Sequence, residues 1–159
     1  MPDAENLPLS DELLQTMRLA AKIAIELGEP FITPRVLLLA LLEEPSLGPA
    51  IGRVIFKQKL LAADVENNFG SLRAIDEFLP GETAAMTRYN TLAFKTPDGR
   101  TSMWLSREAL NVFVEGAKRV NGRYDPRELA LGIAADAVHS PGILAAIRVQ
   151  PGVLGDAVP

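Results

Sequence analysis

Residues 33–42 read TPRVLLLALL, and residues 125–134 read DPRELALGIA. Each stretch opens on a residue type that caps a helix through a side-chain oxygen, Thr33 or Asp125. Proline follows at the first helical position, where its missing N–H has no intrahelical partner to lose. An arginine comes next, Arg35 or Arg127, and then leucines at matching positions, Leu37 and Leu39 against Leu129 and Leu131. Leu37, Leu38, Leu41 and Leu42 leave the first stretch almost no polar face, so a short buried helix is expected. Leu129, Leu131 and Ile133 do similar work in the second.

Upstream of each stretch the similarity continues. Residues 9–24 read LSDELLQTMRLAAKIA and residues 105–120 read LSREALNVFVEGAKRV, with Leu, Ser, Glu, Leu, Ala and Lys at equivalent positions. Ser10 is an N-cap followed by Asp11 and Glu12, whose charges suit the positive end of a helix dipole. Leu14, Met17, Ala21, Ala24 and Ile25 then recur at helical spacing, and Gly28 with Pro30 stops the run. Ser106 opens the second copy. Its apolar stripe is Leu110, Phe113, Val114, Ala117 and Val120, and Asn121-Gly122 ends it. Each copy therefore reads as a long helix, a turn and a short buried helix.

A third, shorter helix is expected in each copy, within Ser46–Ile55 and after Ser140-Pro141, with Arg53-Val54 and Arg148-Val149 ending them alike. A fourth is expected at Leu61–Phe69. The second copy shows no equivalent, because the chain closes with Pro151, Gly152, Gly155 and Pro159. Between the copies, Ser71–Leu79 reads as a short helix ended by Pro80-Gly81. Pro97-Asp98-Gly99, flanked by Leu92, Phe94, Met103 and Trp104, reads as a small β-hairpin that must pack on the helices to be stable. The expected fold class is all-α, a pseudo-twofold repeat of two helical units with seven or eight helices and a hairpin in the linker. One domain is expected over 1–159, with repeat 1 at 9–69, the linker at 70–104 and repeat 2 at 105–149.

The 159 residues carry 16 Lys and Arg against 20 Asp and Glu, a formal net charge of −4. That argues against a general nucleic-acid binder and against an anchor on anionic lipid. No apolar run approaches the roughly 20 residues of a membrane helix. There is no cysteine and one histidine, His139, so disulfides, thiolate metal sites and HExxH pairs are excluded. Met1–Pro8 has neither a basic segment nor an apolar stretch, so no signal peptide is expected and the cytoplasm is the expected compartment.

A Gly-ended long helix, then ITPRVLLLALL, then a second degenerate copy resembles the N-terminal domain of Clp ATPases, whose two helical units are built around a motif similar to GTEHLLLGLL. The resemblance covers residues 9–69 and 105–149. It implies a docking module that binds substrates or adaptor proteins, without catalysis, cofactor or metal. No GxxxxGK[ST] occurs, so the ATPase module is not part of this sequence. The Glu-His pair of the family motif is replaced by Arg35-Val36 and by Arg127-Glu128. In one branch of the family the motif glutamates help hold phosphoarginine. A guanidinium reverses that charge, so recognition of phosphoarginine is not carried over to these positions.

The remaining chemistry weighs lightly. Ser10, Ser106 and Ser140 could be paired with His139, but no GxSxG elbow exists and all three serines sit where caps belong. Asp11-Glu12, Glu43-Glu44 and Asp76-Glu77 are neighbours that point different ways on a helix, unlike a glycosidase pair. Pro97-Asp98-Gly99-Arg100 lacks the glycine spacing of a phosphate loop. Arg35 and Arg127 remain as candidate site residues. Each lies in a first helical turn, where a cation is unfavourable for the dipole. Either each reaches an acidic neighbour or the two present an anion or acidic-peptide site. The expected function is a protein-docking module for an unfoldase substrate, an adaptor or the unfoldase itself. The alternative is a helical-bundle enzyme or small-molecule binder, which a cavity lined by convergent carboxylates or by His139 would favour.

Overall fold

Four cap residues anticipated from sequence, Ser10, Thr33, Ser106 and Asp125, mark where the four principal helices begin. The computed structural model describes residues 9–63, 93–140 and 142–159. Its helices, in chain order, are α1 (Asp11–Glu26), α2 (Pro34–Leu42), α3 (Gly48–Ile51), α4 (Lys57–Ala62), α5 (Arg107–Ala117), α6 (Pro126–His139), α7 (Gly142–Ala146) and α8 (Pro151–Ala157). Strands β1 (Ala93–Lys95) and β2 (Ser102–Trp104) lie between α4 and α5. Ser10 accepts the Leu13 N–H at 3.0 Å, and Ser106 accepts the Ala109 N–H at 3.2 Å. Thr33 and Asp125 share one backbone conformation, φ −104° and ψ 166°, ahead of their prolines.

The two copies are joined by a reciprocal exchange. Leu9, which precedes α1, bridges in parallel to Tyr124, which precedes α6. Leu105, the counterpart of Leu9, bridges in parallel to Ile32, the counterpart of Tyr124. The Ser10 N–H donates to the Tyr124 carbonyl at 3.0 Å, and the Ser106 N–H donates to the Ile32 carbonyl at 2.9 Å. Each copy therefore satisfies the other's backbone at equivalent positions, which is the pseudo-twofold relation in hydrogen-bond form. It also ties up donors that a helix entrance would otherwise leave open.

One apolar core runs through both copies. α1 packs on α2 as α5 packs on α6, and α2 touches α5 and α6. Residues 34–41 of α2 are all buried, as the leucine run predicts. α5 and α6 approach closely because both carry glycine at the crossing. A Cβ on Gly132 would lie 2.5 Å from the Val112 carbonyl oxygen and 2.6 Å from the Gly116 nitrogen. The counterparts in the first copy are Ala20 and Ala40, also buried. Tyr124 lies beneath this crossing and donates to the Phe113 carbonyl at 2.7 Å. Burial pushes its phenol well above the ordinary range, so it remains a donor. Phe113 stacks between Tyr124, 4.6 Å away by centroid, and Phe94 of the hairpin at 6.3 Å.

The hairpin forms as expected, with Phe94 opposite Met103 and Gly99 at φ 74° in its turn. Asp98 accepts from Thr96 Oγ1 and from the Arg100 N–H, and these bonds hold its carboxyl below the usual range.

Several elements differ from the sequence expectation. The second buried helix is not short: α6 has 14 residues and outlasts α5, which has 11. AADAVH carries no breaker before Ser140, whereas α2 meets Pro45 soon after its last turn. A fourth helix does exist in the second copy, α8, with Pro151 in its first turn. Proline read as a breaker is tolerated there because that N–H has no partner to lose. α4 begins at Lys57, before the expected Leu61, and Ala63 is already extended at ψ 146°. The third helices do not end alike, since Arg148 takes a left-handed φ of 60° and Arg53 does not. Residues 64–69 of the expected fourth helix, and Ser71–Leu79, lie outside the described residues.

Candidate functional site

The structure separates Arg35 from Arg127. Arg35 Nη2 lies 2.5 Å from Glu29 Oε1 and its Nε lies 3.1 Å from the same oxygen. Thr33 Oγ1 donates to the other carboxylate oxygen at 3.0 Å. The side chains of this pair are 6% and 2% exposed, so the Arg35 guanidinium is enclosed and already matched. It clamps the α1–α2 loop onto the first turn of α2. The acid that neutralises it comes from that loop; the corresponding residues 118–124 of the second copy, KRVNGRY, contain no acid.

Arg127, lacking such an acid, turns outward. Its side chain is 55% exposed. Nε donates to the Pro159 carbonyl at 2.7 Å, and Nη1 reaches Glu128 Oε2 at 3.0 Å. Glu128 in turn accepts the Asp125 N–H at 3.2 Å, closing the entrance of α6. Arg127 and exposed Arg123 line a cavity of about 270 Å³ with Glu12, Glu44 and Ser46. With Asp125 also in the lining, this face mixes two guanidiniums with three carboxylate side chains.

The serine–histidine pairing has no geometric support among the described residues. Ser10 and Ser106 are buried with their hydroxyls spent on caps, and His139 is exposed at the end of α6. No group of three or more His, Asp or Glu able to hold a metal occurs among the described residues. Among them, no helix is long and apolar enough to cross a membrane.

Sequence reading missed two acids that the fold brings together. Glu108 of α5 and Asp136 of α6 line a cleft of about 500 Å³, open to solvent, whose other walls include Val112, Ile133, Ala137, Ile143 and Leu144. Burial raises the Asp136 carboxyl above its ordinary range, and the charges of Glu115 and Glu108 raise it further against the opposing pull of His139. Glu108 Oε2 is buried with no hydrogen-bond partner among the described residues. The signal was present in the repeat: Glu108 aligns with Glu12, and Asp136 with Glu44.

The architecture is thus a mostly helical pseudo-twofold repeat carrying a small two-stranded antiparallel sheet. It is similar to a solved N-terminal domain of the caseinolytic protease associated chaperone ClpD from Arabidopsis thaliana. The likeness covers 94% of this chain and 91% of that chain, with a TM-score of 0.56 and 16% identity. At that identity it is a likeness of fold. No protein-family model matches the sequence, and no curated protein sequence matches it.

Proposed function

We propose that this chain is a non-catalytic protein-docking module of the Clp N-domain type, acting in the cytoplasm on an unfoldase substrate, an adaptor or an unfoldase itself. The observation that carries this reading is the fold likeness, which spans nearly the whole of both chains. The anion-reading part of the surface falls to Arg127, with Arg123 beside it, because Arg35 is buried against Glu29. A partner carboxylate would displace the Pro159 carbonyl from Arg127. Each charge-assisted contact of this kind contributes about 1.5–3 kcal/mol when partly desolvated.

The test is capture of partners from native lysate by the tagged full chain, with identification by mass spectrometry. A binding isotherm then compares wild type with Arg127→Glu, each checked by circular dichroism. Binding weakened about tenfold, which corresponds to 1.4 kcal/mol, supports the assignment. Failure to capture any protein would refute the docking reading, and unchanged affinity in a folded Arg127→Glu would remove Arg127 from it.

The carboxylate-lined cleft between α5 and α6 favours one second reading, a helical small-molecule binder. Saturable stabilisation by a small molecule in a thermal-shift screen, lost on Asp136→Asn, would support that reading instead.

A further inference from the structure

The two copies carry the same pair of acids and treat them differently. In the first copy Glu12 and Glu44 line a cleft of about 460 Å³ between α1 and the end of α2. There α2 stops at Leu42 and the chain turns back, freeing donors. Glu44 accepts the Ser46 N–H at 3.0 Å, the Ser46 hydroxyl at 3.0 Å and the Leu47 N–H at 2.6 Å. Its carboxylate is consumed in building the next turn.

In the second copy α6 runs on to His139. The backbone N–H groups after Asp136 are therefore held inside a helix, and the Ser140 N–H goes to the Asp136 carbonyl rather than to its side chain. Asp136 gains none of the three bonds that satisfy Glu44, and Glu108 keeps a buried oxygen without a partner among the described residues. The basic groups near these acids do not fill the cleft: Arg107 and His139 are exposed and outside its described lining, although the His139 charge acts weakly on Asp136. Lys118 and Arg119 are both spent on Glu115, at 2.9 Å and 3.4 Å. Among the described residues, no Lys, Arg or His lines the cleft.

We propose that the α5–α6 cleft receives a lysine or arginine side chain of a partner protein, with its cationic head between Glu108 and Asp136 and its methylene stem along Val112, Ile133 and Leu144. This rests on the docking reading and names the chemistry of the docked segment. The chemistry fits on three counts. Two carboxylates, one holding an orphaned buried oxygen, call for a donor that brings positive charge. The surrounding wall is apolar, which suits a long side chain with a charged tip. The protein's net charge of −4 also draws a basic segment toward it. The first copy's cleft, with Glu44 already satisfied, has no equivalent demand, so the site is single despite the repeat.

The test uses the full chain and two readouts. The first is carbon-13 NMR of the side-chain carboxyls during titration with n-propylguanidinium and n-butylammonium, which reproduce the two side-chain heads and stems. Saturable shifts at Glu108 and Asp136, without matching shifts at Glu12 and Glu44, are expected. The second is the affinity of the partner captured from lysate for wild type, Glu108→Gln/Asp136→Asn and the control Glu43→Gln, an exposed acid of the first copy's cleft that lies outside the Arg127 face. The double variant should bind at least tenfold more weakly, and the control should bind as wild type does. Absence of saturable carboxyl shifts at Glu108 and Asp136, or equal shifts at both acid pairs, would overturn the proposal. A captured partner whose affinity survives the double substitution would also overturn it, while leaving the docking reading standing. If no partner is captured, the docking reading fails, and the analogue titration still decides whether the cleft is a cation site.

Discussion

Replacing Arg35 by alanine distinguishes a structural arginine from a ligand-binding one. The guanidinium donates twice to Glu29, and both side chains are almost fully enclosed, 6% and 2% exposed. Removing one partner leaves a buried carboxylate with only the Thr33 hydroxyl bonded to it. Breaking a buried pair this way costs about 3–5 kcal/mol. For a chain of this size each kcal/mol lowers Tm by roughly 2–4 °C, so Arg35→Ala should melt about 6–20 °C below wild type. Arg127→Ala removes a side chain that is 55% exposed, and should cost no more than about 1 kcal/mol. Joint replacement of Glu29 by Leu and Arg35 by Met should recover most of the loss, since apolar groups of similar volume need no charge partner. Urea and thermal unfolding of the four proteins, read by circular dichroism, give the comparison. Arg35→Ala and Arg127→Ala with equal stability would refute the assignment of Arg35 to the fold. So would a double replacement no better than the single one.

Ser10→Ala and Ser106→Ala should each destabilise by about 1 kcal/mol, because each hydroxyl caps the same turn in its own copy; a large loss for one and none for the other in urea titrations would argue against equivalent roles. Gly132→Ala places a Cβ 2.5 Å from the Val112 carbonyl oxygen and forces α5 and α6 apart, at a cost of about 1–3 kcal/mol; a wild-type melting temperature would show that the crossing is not tight. The folded-state pKa of Asp136 lies above its ordinary value, so the folded protein holds its proton more tightly than the unfolded chain does. Stability therefore falls as pH rises from the ordinary carboxylate range through the raised value, and Asp136→Asn should remove that fall. The gain at neutral pH should stay below about 1 kcal/mol because the group is partly solvated. It should vanish in acid, where both states are protonated, and a stability difference unchanged between pH 3 and pH 7 would contradict this.

Much of the fold lay in short-range chemistry. Ser10, Thr33, Ser106 and Asp125 announced four helix starts because a cap needs only its own following turn. Leu37 and Leu38 announced burial because no polar face remained at any helical phase. The Pro97-Asp98-Gly99 turn announced the hairpin for the same local reason. The second copy's last helix stayed hidden, since Pro151 and Gly152 weaken a helix alone and α8 is held by packing against α6 and α3. Helix propensity is a weak prior that such packing overrides.

The site was less legible. The sequence by itself determined that two arginines, Arg35 and Arg127, stand at equivalent positions in a repeat. It also determined that acids recur as Glu12 with Glu108 and Glu44 with Asp136. It could not tell which of each pair is enclosed by its partners and which is left open to solvent, because that depends on groups supplied from elsewhere in the chain. Tertiary structure decided that Glu29 folds back to enclose Arg35, while the second copy's loop, with no acid in residues 118–124, leaves Arg127 at the surface. The early stop of α2 gives Glu44 three donors, and the run of α6 to His139 denies them to Asp136. A buried or partly buried charge is defined by the partners that reach it, and those are fixed only when loops and helix ends are in place.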